Sequence, residues 1–308
     1  MILTVTANPA VDQTMFVGAV EMGEVNRAHE TQLDPAGKGI NASRVAHRLG
    51  WPTIAFGFLA GETGRIVSDA LDAEGVQRHF IQVPGQTRIN ITVSEGSGRE
   101  TSVFGPGPAV QADQLDQLAD LLAFWLQAAR VLVLAGSLPP GAPEDWYAGL
   151  LRDARARGVV TLLDTHGPEL RCGIAARPDV IKPNLEEAAE LLGRELVGRE
   201  AILDGARQLS RDIRGTAIVS MGADGALCVR GESSWRVVPP SVARKSTVGS
   251  GDSFVAGLAV ALARGDELSD GLRLAAAAGA ATAASAGTSL GSAEAIAELL
   301  PKVTIERL

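Results

Sequence analysis

The stretch STVGSGDSFVAG, residues 246–257, sets Asp252 at the mouth of an apolar helical run and strips the loop before it of side chains. Phe254, Leu258 and Leu262 repeat on one helical face. Aspartate is a favoured helix cap, and that role would account for Asp252 by itself. It does not account for Gly249 and Gly251, whose bare backbone lets N–H groups approach an anion at a helix start. The helix dipole adds roughly half a positive charge at that end. A carboxylate placed there can take the proton of an attacking hydroxyl while the amides stabilise a transferring phosphoryl group. Gly249, Ser250, Gly251 and Asp252 are therefore the candidate catalytic residues.

A second glycine loop, PAGKGINASRVAHRLG at residues 35–50, leads into a short helix with Ala42, Val45, Ala46 and Leu49 on its apolar stripe. Gly37 and Gly39 flank Lys38, and Asn41 follows in the first turn. This loop lacks the spacing and the Ser/Thr of a P-loop, and no strand immediately precedes it as in a dinucleotide fingerprint. It could hold sugar hydroxyls or a phosphate. Further polar residues follow apolar runs: Ser137 after 131–136, Asp164 after 159–163, Lys182 and Asn184 within VIKPN, and MGADG after AIVS. Turn preferences explain any one of these. Together they suggest a ligand site at the carboxyl ends of strands. The histidines show no metal-ligand spacing.

The elements that would position these residues are legible as short continuous apolar runs at 2–7, 53–60, 131–136, 159–164, 179–184 and 216–222. Such runs are the habit of parallel strands buried on both faces. Helical patterns lie between them, as in AVQADQLDQLADLLAFWLQAA and PEDWYAGLLRDARARG, so a layered α/β sheet is expected. The run LRLAAAAGAATAASAG reads as a helix packed closely against another element. Residues 11–34 and 87–104 break the rhythm by alternating apolar and polar side chains. They predict a small antiparallel sheet laid over the main one as a lid, with Gly96 and Gly98 turning one hairpin. No linker or repeat divides the 308 residues, which are expected to form a single domain, 1–308, with that inserted lid.

A formal net charge of −8 argues against nucleic acid as a partner. No apolar run is long enough for a membrane span. Two cysteines, Cys172 and Cys228, and the absence of a leader pattern point to reduced thiols and a cytoplasmic location. Bare strand edges and the apolar Met15, Phe16 and Val17 of the lid predict a homodimer joined through the lids.

Taken in order, TANPAVDQT, GEVNRA, GKGINASRVAHRLG, TRINI, GPGP, AGSLPPG, KPNLEE, SMGADGA and VPPSVARKSTVGSGDSFVAG resemble the PfkB sugar-kinase family of the ribokinase-like superfamily. The resemblance spans nearly the whole chain and is strongest to the 1-phosphofructokinase and tagatose-6-phosphate kinase branch. It implies a ribokinase-like three-layer α/β/α fold with a mostly parallel central sheet plus the small antiparallel lid. It implies Mg·ATP and a phosphosugar as reactants, with Asp252 as the base and the amides of Gly249–Asp252 as the anion hole. Asp12, on the strand exit before the lid, would bind sugar hydroxyls. Gly37, Lys38, Gly39 and Asn41 would cradle the sugar phosphate, and Arg27 and Arg88 would grip its existing phosphate from the lid; Ser137 joins the substrate set. Lys182, Asn184 and Glu187 would serve nucleotide phosphates and Mg²⁺, with Asn184 and Glu187 as the metal-side residues. Ser220, Gly222, Gly225 and Thr247 would line the nucleotide. D-Fructose 1-phosphate is the expected acceptor, with tagatose 6-phosphate and fructose 6-phosphate as rivals. A kinase for nucleosides or unphosphorylated sugars is disfavoured by Arg27, Lys38 and Arg88, and a phosphosugar sensor by the intact Gly249–Gly251–Asp252 set. Two residues depart from the family's pattern: Ala36 stands where many relatives have glycine, and Ser250 where alanine is usual, its hydroxyl free to meet phosphates or solvent.

Overall fold

Continuous apolar runs become strands in this chain because both faces of each strand are covered by helices. A computed structural model describes residues 1–246, 248–285 and 287–308. The expected nucleotide contact at Thr247 lies outside the described residues. In chain order the strands are β1 (Ile2–Thr6), β2 (Ala10–Val17), β3 (Glu30–Ala36), β4 (Thr53–Leu59), β5 (Gln77–Gln82), β6 (Arg88–Glu95), β7 (Glu100–Phe104), β8 (Val131–Ala135), β9 (Val160–Asp164), β10 (Val180–Ile181), β11 (Thr216–Ser220), β12 (Ala226–Arg230), β13 (Ser233–Val238) and β14 (Thr304–Arg307). The helices are α1 (Lys38–Arg48), α2 (Gly61–Ala73), α3 (Ala112–Leu126), α4 (Trp146–Ala156), α5 (Gly167–Ala175), α6 (Leu185–Leu192), α7 (Gly198–Ile213), α8 (Ser250–Arg264), α9 (Leu268–Ala283) and α10 (Ala293–Leu299).

The main sheet has ten strands in the order β14-β13-β12-β11-β10-β9-β8-β1-β4-β5. Pairings from β5 through β11 are parallel, and the last three strands add an antiparallel edge. From β1 the chain first builds outward through β4 and β5, then returns to β8 on the other side. That reversal makes a crevice beyond the carboxyl ends of β1 and β8, where open α/β sheets take their ligands. The expected strand over 179–184 is shorter than the apolar run suggested. The regular strand is Val180–Ile181, although Lys182 N–H still donates to Leu163 O at 3.3 Å and Asn184 bridges to Ser220 beyond it.

Alternation along the strands feeds two cores. Leu3, Val5, Leu132 and Leu134 pack under α3, α4 and α7, while Ile2, Val131 and Val133 meet α1, α8 and α9 on the opposite face. Each such buried side chain contributes about 1.5–3 kcal/mol of transfer free energy, which makes the three-layer arrangement the favoured one. The alanine-rich run forms α9, and its small residues let α8 come close. A Cβ on Gly257 of α8 would stand 2.8 Å from the Cα of Ala275, too near for any larger side chain. Among the described residues no helix is long and apolar enough to cross a membrane.

The second sheet has the order β3-β2-β6-β7. Its outer pairs, β2 with β3 and β6 with β7, are antiparallel hairpins as expected, but the central strands β2 and β6 run parallel. The two hairpins come from segments separated by α1, β4, α2 and β5, so no tight turn joins their middles and the parallel pairing is allowed. Asp12, Asp34 and Asn90 stand side by side across these strands.

Candidate active site

Asp252 does not cap its helix. Gly249 occupies the cap position with φ 73°, and Ser250, Gly251 and Asp252 form the first turn of α8. The first amide bonded within the turn is Ser253 N–H, donating to Gly249 O at 2.9 Å. The N–H groups of Ser250, Gly251 and Asp252 precede it and lack intrahelical acceptors. Gly249 is needed for two reasons: its backbone is left-handed, and a Cβ there would lie 2.8 Å from Leu290 Cδ2. The capping explanation is thus replaced by a first turn in which Asp252 follows the glycine cap, behind amides that have no intrahelical acceptor.

That carboxylate is held rather than solvated. Asp252 is 9% exposed, and Asn41 Nδ2 donates to its Oδ2 at 2.8 Å. Burial pushes its carboxyl up to about 6, and Asp164 adds to the rise, against the opposing pull of Lys38 and Lys182 and the Asn41 bond. Asn41 reaches it because α1 begins at Lys38, earlier than the apolar stripe alone suggests. Gly39 lets that helix start rest against β1, since a Cβ would stand 2.7 Å from Thr6 Oγ1 and 2.9 Å from Val5 O. Gly37 lies equally close to Thr6. These two glycines serve close packing of the loop, and through it the aim of Lys38 and Asn41.

Asp164, at the carboxyl end of β9, ties two cations into the same place. Lys38 Nζ lies 3.2 Å and Lys182 Nζ 3.4 Å from its Oδ1. Asp164 is 1% exposed and Lys182 5%. Burial alone would raise the Asp164 carboxyl, but Lys182 and Lys38 outweigh it and hold it below the ordinary range. For Lys38, burial favours the neutral amine, yet Asp164, Asp252 and Glu187 together raise its pKa. Lys182 Nζ also stands 3.7 Å from where a Cβ on Gly251 would be, so the ammonium borders the bare loop. The sequence marked Asp164 only as a polar strand exit. The signal that could have found it is Lys182, a buried ammonium that requires a carboxylate.

Asn184 and Glu187 spend part of their bonding on each other. Asn184 N–H donates to Glu187 Oε2 and Glu187 N–H to Asn184 Oδ1, both at 2.8 Å, a capping box at the start of α6. Glu187 Oε1 lies outside that box, and Asp164 Oδ2 is buried with no hydrogen-bond partner. These are hard oxygen donors of the kind Mg²⁺ takes. Among the described residues no group of three or more His, Cys, Asp or Glu side chains is poised to hold a metal. That donor set fits an ion held by one or two carboxylates, water and a ligand's phosphates.

The remaining expected residues divide. Ser137 lies in the loop after β8, where Gly136 N–H donates to Asp164 O at 3.0 Å. Ser220 ends β11 beside Asn184, and Gly222 and Gly225 shape the turn that follows with φ 59° and 88°. Asp12 is not on the exit of β1 but inside β2, where Asn90 Nδ2 donates to its Oδ1 at 2.8 Å. The run after β1 re-enters a strand almost at once, which moves Asp12 onto the lid. Burial raises its carboxyl, with Asp34 adding to the effect. Arg88 turns its two terminal nitrogens to Gly105 O at 3.2 Å and Asn8 O at 2.9 Å, leaving a buried Nε without a partner. Arg27 is exposed in the loop between β2 and β3, and among the described residues its side chain has no bond to the groups around Asp252. Ser250 Oγ donates to Gly279 O of α9 at 3.0 Å, so its proton is directed to that helix. Thr288 Oγ1 and Gln32 Nε2 both donate to Asp34, a link from the lid to the loop after α9 that the sequence did not reveal.

The profile of the family described as pfkB family carbohydrate kinase matches residues 5–295. A 1-phosphofructokinase of Rhodobacter capsulatus is 37% identical, with 100% of this chain and 98% of that protein aligned. A 1-phosphofructokinase of Bacillus subtilis (strain 168) is 33% identical over 100% of both. Among solved structures, a "Possible 1-phosphofructokinase" from Thermotoga maritima superposes with a TM-score of 0.92 at 28% identity, covering 100% of this chain and 99% of that one.

Proposed function

The chain belongs to the pfkB family of carbohydrate kinases, and from that premise we propose that it is a 1-phosphofructokinase, moving the γ-phosphoryl group of ATP to D-fructose 1-phosphate to give fructose 1,6-bisphosphate and ADP. The observation that carries this reading is the Asp252 carboxylate, bonded to Asn41 in a helix turn whose first three amides lack intrahelical acceptors, with two lysines nearby. The choice of fructose 1-phosphate rests on the full-length relatives at 37% and 33% identity.

Each group has a stated task in that reaction. The ionised Asp252 accepts the proton as the sugar hydroxyl attacks the γ-phosphorus and the bond to the β-phosphate oxygen breaks. A carboxyl near 6 is a stronger base than an ordinary aspartate and is still ionised at pH 7. The amides of Ser250, Gly251 and Asp252 receive the charge spread over the migrating group. Lys38 and Lys182, fixed by one buried carboxylate oxygen, flank it without needing to reorganise. Asp164 and Glu187, with Asn184 beside them, are the residues that would hold Mg²⁺, which would neutralise charge on the triphosphate. Ser220, Gly222 and Gly225 border the nucleotide, and Gly37, Gly39 and Ser137 border the sugar. Arg27 and Arg88 serve the existing phosphate, Arg88 through the N–H groups of its terminal nitrogens that Gly105 O and Asn8 O leave free. Asp12 and Asn90 meet sugar hydroxyls from the lid.

The lid also supports a homodimer. Leu33, Val103 and Phe104 are 52%, 66% and 67% exposed on its strands, and a second copy would cover them. Light scattering showing only monomer at micromolar concentration overturns that part. A cytoplasmic setting suits an ATP-dependent enzyme whose cysteines are both free.

ADP release with Mg·ATP, compared across fructose 1-phosphate, fructose 6-phosphate, tagatose 6-phosphate and fructose, tests the substrate. The highest kcat/KM is expected for fructose 1-phosphate. A preference for either 6-phosphate reassigns the acceptor within the family.

A further inference from the structure

At the end of the sheet away from Asp252, the strands begin rather than finish, and a second cleft opens there. Val160 starts β9, four residues before Asp164 at its other end. Arg230 ends the antiparallel β12 directly across from Thr216, the first residue of β11. Arg211 and Arg214 come from the last turn and cap of α7. With Asp179 before β10 and Leu262 of α8, these residues line a cavity of about 730 Å³. That volume lies within the range of small-molecule sites.

The charge in this cavity runs against the charge of the chain. Three arginines face it in a protein of net charge −8. Among the described residues none of the three has a salt bridge, and no side-chain hydrogen bond engages Arg211, Arg214 or Arg230. The one acidic group in the lining, Asp179, has its Oδ2 engaged by Thr161, whose N–H and Oγ1 donate to it at 2.8 and 2.7 Å. Arg214 also holds a left-handed backbone, φ 55°, at the helix end where glycine is the favoured residue. Val160 and Leu262 give the cavity an apolar wall beside the guanidinium groups.

We propose that this cavity binds a small phosphorylated anion, its phosphoryl oxygens taken by the forks of Arg211, Arg214 and Arg230 and its remainder set against Val160 and Leu262. Planar guanidinium groups match phosphate oxygens two at a time. The site is separate from the Asp252 cleft, and the proposal does not depend on which sugar is phosphorylated there.

Inorganic pyrophosphate titrated into the full chain, with the nucleotide cleft filled by a non-hydrolysable Mg·ATP analogue, should still give a saturable heat of binding. Hydrogen exchange should slow in residues 210–216 and 228–232. Adenosine 5′-monophosphate as a second probe separates the sources: tighter binding than pyrophosphate assigns a nucleoside phosphate held by the apolar wall, and weaker binding assigns an inorganic or compact phosphate. Arg211→Gln and Arg230→Gln should each weaken the effective probe about tenfold, the order that a charge-assisted hydrogen bond supplies. Arg214→Gly should do the same while keeping the fold, because glycine accepts its backbone without strain. Turnover without the probe should stay at the wild-type value in all three. No heat and no slowed exchange at these segments with the cleft filled, or undiminished binding in Arg214→Gly and both glutamine variants, overturns the proposal.

Discussion

Replacing Asp252 with asparagine should separate what this residue does for the reaction from what it costs the fold. The amide keeps the size of the carboxyl and an oxygen for Asn41, but it cannot take a proton. A general base is worth about 10²–10⁴ in rate, so Asp252→Asn should lose at least a hundredfold in kcat and keep its affinity for the phosphosugar. Stability should move the other way. An aspartate that titrates near 6 in the fold and at the ordinary 3.8 when unfolded binds its proton more tightly in the native state. Its ionisation therefore destabilises the fold as pH rises from about 4 to about 6, and the full cost remains above that. Two or so pH units at 1.36 kcal/mol each give roughly 3 kcal/mol. The neutral amide escapes this cost, so Asp252→Asn should be the more stable protein at pH 7.5 and gain little at pH 4. Urea midpoints at both pH values, beside an ADP-release assay, measure the two effects. Turnover within tenfold of wild type, or a variant less stable at pH 7.5, would refute the reasoning.

Lys182→Met leaves Asp164 with Lys38 as its one cation in a buried setting; a loss of roughly 3 kcal/mol is expected, read from the unfolding midpoint. The Asp164 carboxyl is held low, so the stability it contributes is present above the ordinary 3.8 and disappears as pH falls below it; that acid-side slope should shrink in the same variant. Gly249→Ala and Gly251→Ala should part company. The first must hold φ 73° and meets Leu290 at 2.8 Å, costing about 1–2 kcal/mol from the backbone alone. The second meets only Lys182 Nζ at 3.7 Å, so it should fold normally but lose turnover as its methyl crowds the amides. Ser250→Ala removes the bond to Gly279 O and should cost about 1 kcal/mol; an unchanged melting temperature would show that the pin to α9 contributes nothing.

Much of the architecture follows from local pattern. Apolar runs such as VLVLA and TIAFGFL can satisfy both faces only inside a layered sheet, and the alanine-rich run can pack only against another close helix. Bare glycines ahead of an apolar helix likewise announce free amides at Gly249–Asp252, because that depends on residues adjacent in the chain. What pattern did not reveal is what depends on partners far apart. Asn41 and Asp252 are 211 residues apart when they bond, and Lys38 and Asp164 are 126 apart. No spacing rule reaches that far, so the buried carboxylate joining two lysines was legible only as a turn residue. The direction of Arg88, the parallel join of β2 with β6, and the turn of Ser250 toward α9 were settled the same way, by which groups the folded chain brings within bonding distance. The residue types and the loops that could perform phosphoryl transfer were written in the sequence alone. Tertiary structure decided which carboxylate is desolvated and which cations face it, since burial and charge proximity are properties of the packed whole.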